Sequence, residues 1–286
     1  MENSKIELKR SVPLFWGLHA RPGMVFGRVL GLLPVAFLLG LYMFASHSRH
    51  RVNPDDKLMP SLHQMYNEMK TIITVPDKRS GKILFWADTK ASLQRLGLGI
   101  GIAAAASYFM GILMGMLPGF RALFAPLVTG LSNINPLAIL VIILVALGVG
   151  ENSKVFLVAF GIGIPMMRTI AGIAERMPGE LTVKALTLGA SQYQVLYRIV
   201  APQMLPRLID LIRVSLGAAW IFVIAAEAVA ATEGLGYRIY LQQRYMNMAL
   251  IIPYVIYISL LAYGSDLALQ GILKLPCFRW YGKTED

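Results

Sequence analysis

The chain has 286 residues, of which 56% are hydrophobic and only 15% are charged, and its mean hydropathy is +0.58. Soluble domains carry about 25% charged residues, so this chain has too little polar surface to cover a water-exposed globule. The composition excludes a soluble protein and indicates a membrane protein. The net charge of +11 does not indicate nucleic-acid binding, because the basic residues are scattered over termini and loops, where they suit anionic lipid headgroups.

Six uncharged runs predict membrane-spanning helices. Each reaches the window of about 17–25 residues that a span requires, and backbone groups in lipid must pair internally, which favours helices over open strands. The fold class predicted is therefore an all-α integral membrane protein with six transmembrane helices. The runs are Val29–Ser48, Leu96–Phe120, Ala122–Gly150, Val155–Met167 continuing past Arg168 to Ala174, Val214–Ala226 continuing past Glu227, and Tyr245–Ser265 continuing past Asp266.

An even number of spans places both termini on the same side, and we predict that side to be the cytoplasm. Lys and Arg divide almost evenly across the membrane in this topology, so the orientation rests partly on the loop described below. The predicted divisions are a cytoplasmic N-terminal segment over 1–28, the first transmembrane helix over 29–48, an external interfacial segment over 49–90, a core of five helices over 91–273 that includes a loop over 175–207, and a cytoplasmic C-terminal tail over 274–286.

Within the external segment, a short helix is predicted near Pro60–Ile73. Leu62, Met65, Tyr66 and Met69 recur there at helical spacing, which predicts one apolar face.

Small residues predict close contacts between the spans. Gly97 and Gly101 are four residues apart, as are Gly111 and Gly115, and such pairs let helix backbones approach one another. In the third run, Asn133-Ile-Asn135-Pro136 interrupts the helical pattern, because proline removes a backbone hydrogen bond. An irregular segment at this depth is expected to line a cavity.

The loop between the fourth and fifth runs predicts two short helices joined at a glycine. Residues 180–188 are mostly good helix formers, and Gly189 stands where a left-handed C-cap is expected. Ser191, three residues before a glutamine, forms a capping box for the next helix. Pro202 and Pro206 are expected to end that helix and to begin the fifth span. Physically, a docking element and a helix pair lying on the lipid explain the loop equally well.

The same loop resembles the EAA loop of bacterial ABC-importer permeases. That loop reads Glu-Ala-Ala, three residues, Gly, nine residues and Ile-x-Leu-Pro. Here Ala185 matches the second Ala, and Gly189, Ile199 and Pro202 stand at the family positions. Val183 replaces the usual Glu. In this family the loop docks on a separate ATP-binding subunit, so the resemblance implies the loss of one polar contact with that ATPase.

Candidates to replace that contact are Lys184, Glu180 and Arg176. The resemblance assigns the ATPase-coupling loop to Glu180, Lys184, Ala185, Thr187, Leu188, Gly189, Ala190, Ser191, Ile199 and Pro202.

Further stretches resemble the nitrate, sulfonate, taurine and bicarbonate subgroup of these permeases. The matches keep their order and spacing over roughly residues 57–240, and several matches in register are more specific than any single one. They are Leu58–Ser61, Trp86–Arg95 with Asp88 and Ser92, Gly148–Lys154 with Glu151, Ala219–Glu227 with Trp220, and Gly234–Tyr237.

The resemblance implies a type I ABC importer permease fold with a cytoplasmic coupling helix, in the bacterial inner membrane. Two permease subunits, expected as a homodimer, would form the pathway through the lipid bilayer. Two cytoplasmic ATP-binding subunits would dock on the loops, and a periplasmic substrate-binding protein would deliver a small anion such as a sulfonate, nitrate or related oxyanion. This subunit is not expected to be an enzyme or to hold a cofactor. It lacks a P-loop, so ATP and Mg are expected on the partner ATPase.

Four residues within the spans are candidates for the translocation pathway: Asn133, Asn135, Trp220 and Glu227. Amide donors on a broken backbone suit a small polar solute, although hydrogen bonding between helices explains Asn133 and Asn135 equally well. Glu227 and Asp266 are the acids expected at membrane depth, where pairing with a basic or polar group is favoured over substrate contact.

No catalytic residue and no metal site are predicted. His47, His50 and His63 lie on the external segment, but a metal site needs further ligands and supporting hydrogen bonds. Arg168 and Arg213 lie near the predicted cytoplasmic ends of spans, where snorkelling towards water is the default.

The alternative function is an ion-coupled secondary transporter or a channel with no ATPase partner. A further alternative is a membrane scaffold with no transport role. The ion-coupled transporter or channel would need functional charges within the spans and would leave the structured loop over 180–202 without a purpose.

Overall fold

The computed structural model describes residues 24–52, 57–77, 81–177 and 179–274. Within these ranges the regular structure is entirely helical. The chain divides into two compact units, Met1–Leu62 and His63–Asp286. Most of the predicted terminal segments over 1–28 and 274–286 lies outside the described residues. The helices are α1 (Met24–Val52), α2 (Leu62–Thr74), α3 (Leu84–Met116), α4 (Pro118–Ser132), α5 (Leu140–Leu147), α6 (Glu151–Glu175), α7 (Gly179–Thr187), α8 (Gln192–Val195), a π-helical turn (Leu196–Val200), α9 (Ala201–Ala230), α10 (Leu235–Arg244) and α11 (Met248–Leu273).

The first unit contains one long apolar helix, α1, which includes the predicted first span. Two side chains near its end hold the residues that follow. The Tyr42 hydroxyl donates to the Pro60 carbonyl at 2.8 Å, and the Ser46 hydroxyl donates to the Met59 carbonyl at 3.1 Å. The chain therefore folds back along the end of α1 after leaving it.

Five helices in the described ranges are long and apolar enough to cross a membrane, one fewer than the sequence predicts. They are Val29–Arg51, Leu84–Met116, Glu151–Glu175, Gln192–Ala230 and Met248–Leu273. The prediction of a third continuous span over 122–150 is wrong, because that run divides into α4, of 15 residues, and α5, of 8 residues.

The break between α4 and α5 is produced by the Asn-Ile-Asn-Pro sequence. The side-chain amide of Asn133 donates to the Thr129 carbonyl at 3.1 Å, and the side-chain oxygen of Asn135 accepts from the Leu137 N–H at 3.0 Å. These short-range bonds satisfy groups that a continuing helix would otherwise pair, and Pro136 supplies no N–H to the helix. The predicted irregularity is confirmed, and it divides the run rather than bending it.

In the second unit, α3 and α6 pack along small residues spaced every four positions. A β-carbon on Gly99 would lie 2.6 Å from the Val158 side chain, one on Gly111 would lie 2.8 Å from Ile170, and one on Gly115 would lie 2.6 Å from Ala174. The predicted close approach is therefore confirmed for Gly111 and Gly115. It is achieved because each missing side chain leaves room for a residue of the facing helix.

The other predicted pair does not take part in this contact. A β-carbon on Gly97 or Gly101 would meet no atom within 4 Å. These two glycines are displaced by two residues from Gly99, and two residues turn an α-helix by about 200°. They therefore lie on the opposite face of α3, away from α6.

The helix that follows the loop does not stop at its prolines. α8, the π-helical turn and α9 form one continuous helix, Gln192–Ala230, so the predicted end of a helix at Pro202 and Pro206 is wrong. The Ala201 N–H donates to the Leu196 carbonyl, a spacing of five residues that widens the helix immediately before Pro202. A wider turn removes the clash between the prolyl ring and the preceding turn.

α9 is the central helix of the second unit, and it packs against α3, α6, α10 and α11. The core around it includes Trp220, Val223, Leu250 and Tyr254, all buried.

α2 confirms the helix predicted near Pro60–Ile73, but only part of its predicted apolar face is inward. Met65 is buried, whereas Leu62 and Tyr66 are exposed.

We predict that Gly99→Val lowers the thermal unfolding temperature of the purified protein in detergent, whereas Gly101→Val leaves it nearly unchanged. The valine at 99 has to displace Val158, and overpacking of this kind costs about 1–3 kcal/mol. The measurement is the unfolding midpoint of the two variants beside the native chain. Equal midpoints for the two variants would contradict the assignment of the α3–α6 contact face.

Candidate functional site

A buried ionic network joins four helices of the second unit. α3 contributes Asp88, Ser92 and Arg95, which are spaced so that they share one face. Glu227 from α9 is fully buried beside them, with a side-chain exposure of 0%. The Arg95 guanidinium donates to Glu227 Oε1 at 2.6 Å, and the Ser92 hydroxyl lies 2.8 Å and 2.9 Å from the two carboxylate oxygens.

Arg95 also pairs with the start of α6. Its Nε and Nη2 donate to the two oxygens of Glu151 at 2.5 Å and 2.9 Å, and its Nη1 donates to the Glu233 carbonyl at 2.7 Å. The Lys154 ammonium donates to Glu151 at 2.8 Å. Glu151 is the solvent-facing member of this group, since its side chain is 61% exposed while those of Arg95 and Lys154 are nearly buried.

The N-terminal end of α10 is held by three polar groups from other helices. The Gly234 N–H donates to Asp88 at 2.9 Å, and the Leu235 N–H donates to the Ser92 hydroxyl at 2.9 Å. The Gly236 N–H donates to Glu227 at 2.9 Å. The first N–H groups of a helix have no partner within the helix, and acidic acceptors suit its positive end.

Two glycines make this close approach feasible. Gly234 has a φ of +135°, and a β-carbon there would lie 2.5 Å from the Glu227 carboxyl carbon. A β-carbon on Gly236 would lie 2.5 Å from the Ile224 carbonyl oxygen. Any side chain at either position therefore displaces α10 from the carboxylate that holds it.

The network balances its own charge. Arg238 of α10 donates to the second oxygen of Asp88 at 2.8 Å, which completes three acids and three bases. Burial of a charge at membrane depth is costly unless it is paired, so this arrangement serves to fix helices rather than to perform acid–base chemistry. The acids are Asp88, Glu151 and Glu227, and the bases are Arg95, Lys154 and Arg238.

The four candidate pathway residues occupy two different surroundings. Asn133 and Asn135 are exposed at the break between α4 and α5. Trp220 and Glu227 are buried in α9. Glu227 pairs with Arg95 and Asp266 pairs with Arg213 at 2.9 Å; both acids therefore have the basic partner that was expected.

The pairing of Arg213 differs from its predicted snorkelling, because it joins α9 to α11 through Asp266. Arg238 was missed altogether by the sequence reasoning. The available signal was charge: acids expected among buried helices each need a base.

Across the described ranges, no cluster of three or more His, Cys, Asp and Glu side chains is placed to hold a metal ion.

The loop after α6 forms the second candidate site. α7 ends in a Schellman motif: the Ala190 N–H donates to the Ala185 carbonyl and the Gly189 N–H to the Leu186 carbonyl, both at 3.0 Å. Gly189 has a φ of +87°, as the predicted left-handed C-cap requires. The predicted capping box is also confirmed, since Ser191 and the side chain three residues later exchange both hydrogen bonds.

α7 exposes most of its side chains. It contains no buried residue, and Leu188 immediately after it is 88% exposed. Glu180 and Lys184 form an exposed ion pair at 3.8 Å, and the Thr187 hydroxyl donates to the Lys184 carbonyl. Of the remaining predicted coupling residues, Ala185, Ala190 and Ile199 are partly buried against an apolar cluster from α3, α6 and the helix that follows the loop, and Pro202 is exposed.

We predict that Glu227→Ala lowers the free energy of unfolding by about 3–5 kcal/mol, the usual cost of leaving one partner of a buried ion pair alone. Ser92→Ala is expected to cost about 1–3 kcal/mol, because the Leu235 N–H loses its acceptor. Thermal unfolding in detergent measures both. The control is Glu175→Ala, which removes the exposed pair with Arg121 and is expected to leave the midpoint unchanged. A Glu227→Ala midpoint as high as the control's would show that the network does not stabilise the fold.

Comparison with known proteins identifies the family. The model of the family described as "binding-protein-dependent transport system inner membrane component" matches residues 97–273. The chain is 30% identical over 201 residues to the taurine transport system permease protein of Escherichia coli (strain K12), covering 70% of this chain and 72% of that protein. It is 31% identical over 240 residues to the bicarbonate transport system permease protein of Synechococcus elongatus, covering 80% and 83%.

A solved structure has the same fold. A chain of the MetNI methionine ABC transporter, in an inward-facing conformation, superposes with a TM-score of 0.57 at 18% identity, over 65% of this chain and 92% of that one. This similarity confirms the predicted permease fold. Because the family model covers more than half of the sequence, the chain belongs to the binding-protein-dependent transport system inner-membrane components, the permease subunits of ABC importers.

Proposed function

We propose that this permease pairs with a second copy of itself in a bacterial inner membrane and works with two cytoplasmic ATP-binding subunits and a periplasmic binding protein. In this assembly both termini lie in the cytoplasm, and the EAA-like loop around α7 docks on the ATPase. ATP and Mg bind to that partner, and the permease supplies the path for the solute.

The observation that carries this proposal is the exposed apolar surface of α7. Leu181, Val183 and Leu186 of α7, and Leu188 directly after it, are all exposed. The Schellman motif fixes the C-terminal end of α7, and the capping box at Ser191 fixes the beginning of the next helix, α8. A rigid short helix that presents apolar side chains suits insertion into the groove of a protein partner. A cavity of about 280 Å³ lies beside it, lined by Met116, Leu117, Pro118, Thr182, Leu186, Gln192, Tyr193, Val195 and Leu196.

The continuous helix Gln192–Ala230 supplies a lever for alternating access. Its 39 residues correspond to a rod of about 58 Å at 1.5 Å per residue. One end adjoins the loop of α7, and the other carries Glu227 into the ionic network. Movement of α7 by the ATPase would therefore reach α3, α6 and α10 through one rigid element, as a bistable transport bundle requires.

We propose that the transported solute is a small anion. The support is the similarity to permeases named for taurine and bicarbonate transport, together with the subgroup motifs that the chain carries. Selectivity is set mainly by the binding protein. It shifts the equilibrium between the two states of the permease only through its different affinities for them. The ion-coupled alternative has no specific support, since the acids and bases of the network neutralise one another.

We predict that Leu188→Asp abolishes co-purification with the ATP-binding subunit, because it places a carboxylate in an apolar interface. Losing an interface anchor costs about 2 kcal/mol or more, which weakens binding by about 30-fold. The control is Tyr66→Asp, an equally drastic change at an exposed position of α2, which is expected to leave the complex intact. Stoichiometric recovery of the ATPase with Leu188→Asp would argue against docking through this surface.

A charge exchange separates two roles for Lys184. We predict that Lys184→Glu reduces ATPase stimulation by the loaded binding protein, since Lys184 is a candidate to make the polar contact that Val183 cannot make. The double variant Glu180→Lys with Lys184→Glu rebuilds the ion pair within α7. If the double variant stays impaired, Lys184 contacts the ATPase. If it recovers fully, only the ion pair within the helix matters and the polar contact with the ATPase lies elsewhere.

A further inference from the structure

Arg168, in the spanning helix α6, has no carboxylate partner in the described ranges. Arg95, Lys154 and Arg213 each pair with a carboxylate of a neighbouring residue or helix. Arg168 in α6 instead donates to the Ser132 hydroxyl at 3.3 Å, and in the part of the chain that the structure describes no acid pairs with it. An ionised residue within a span normally pairs with another group or marks a functional site.

Arg168 is exposed and lines an open cavity rather than a packed interface. The cavity has a volume of about 460 Å³, and its described lining contains two arginines and no acid. It lies within the range of about 300–1,000 Å³ that is typical of small-molecule sites. The lining residues are Ser132, Pro165, Arg168, Thr169, Gly172, Ile173 and Arg176.

The position of the cavity connects it with the break in the third run. Ser132 is the last residue of α4, and the exposed segment with Asn133 begins directly after it. Arg168 stands seven residues before the end of α6, about 10 Å along the helix. A second cavity of about 220 Å³ shares Arg168 and is lined also by Arg121 and Glu175, which pair with each other.

We infer that Arg168, assisted by Ser132 and Arg176, binds a small oxyanion in this cavity. A guanidinium offers planar paired donors that match the oxygens of a sulfonate, carboxylate, carbonate or phosphate group. The Ser132 hydroxyl donates to the Thr129 carbonyl at 2.9 Å and accepts from the guanidinium at 3.3 Å, so that it orients the guanidinium beside the cavity. An oxyanion there supplies the counterion that the described protein residues do not. The inference rests on the proposed transport of an anion and names the place in the permease where that anion pauses.

The same chemistry is offered by a lipid phosphate. A solute on the pathway and an anionic phospholipid headgroup would both meet Arg168 with oxygen atoms. A soluble probe distinguishes them, because a solute site accepts it whatever the lipid, whereas a headgroup site is already filled in anionic membranes.

The test is binding of methanesulfonate and bicarbonate to the full-length permease in nanodiscs, followed by saturation-transfer or carbon NMR. In phosphatidylcholine nanodiscs the native chain is expected to bind the probe, and Arg168→Gln is expected to weaken binding at least tenfold. The matched control is Lys90→Gln, an exposed basic residue near the start of α3, with native binding expected. Absence of binding to the native chain, or equal binding by Arg168→Gln, would overturn the site.

The second arm repeats the titration in phosphatidylglycerol nanodiscs. Unchanged affinity supports a solute site, and loss of probe binding assigns the cavity to a lipid headgroup and overturns the pathway role. Co-purification of the ATP-binding subunit is measured on the same Arg168→Gln preparation and is expected to be native. A native chain that recovers the ATPase but binds no anion refutes this inference alone, whereas failure of the native chain to bind any ATPase refutes the proposed function.

Discussion

Arg95 meets Glu227 where neither charge has contact with water, and the second unit is assembled around that pair. The distance of 2.6 Å between them fixes α3 against α9. The second carboxylate bound by Arg95, that of Glu151, fixes the beginning of α6. Because an unpaired buried charge would be costly, the helices have one relative register in which the buried charges of the network are all paired. The bundle is therefore specified by its polar groups as much as by its apolar ones.

The network lies at one end of the longest helix in the described ranges, and the exposed loop lies at the other. Between them, the continuous helix Gln192–Ala230 passes through a π-helical turn that accommodates Pro202. The small-residue contact between α3 and α6 holds the neighbouring helices at backbone distance. These helices are therefore rigid along their length. The irregular backbone lies after Ser132, where the third predicted span divides.

Much of this fold follows from the sequence because it depends on local chemistry. Hydrophobic length predicts most of the spans, and the C-cap at Gly189 and the capping box at Ser191 depend only on neighbours in sequence. The contacts that could not be predicted depend on which faces of the helices pack against one another. Spacing alone does not distinguish Gly99 from Gly97, since both lie on α3 and only the position of Val158 selects one.

The ionic network shows the same limit. Its members other than Arg238 were visible as separate motif residues. The pairing of Arg95 with Glu227, however, joins residues 132 positions apart, and no periodicity reports such a contact. The effect of Pro202 was misjudged because the widened turn before it arises from the backbone rather than from a residue type.

α7 contains no buried residue, so the side chains on its outer face contribute little to the folding of the protein that carries it. Substitutions on its outer face, such as the valine at 183, therefore cost little folding free energy. Which substitutions are tolerated there depends mainly on the partner surface that α7 contacts. Two related permeases in one cell can in this way acquire distinct partners, or come to share one, while the helices behind the loop remain the same.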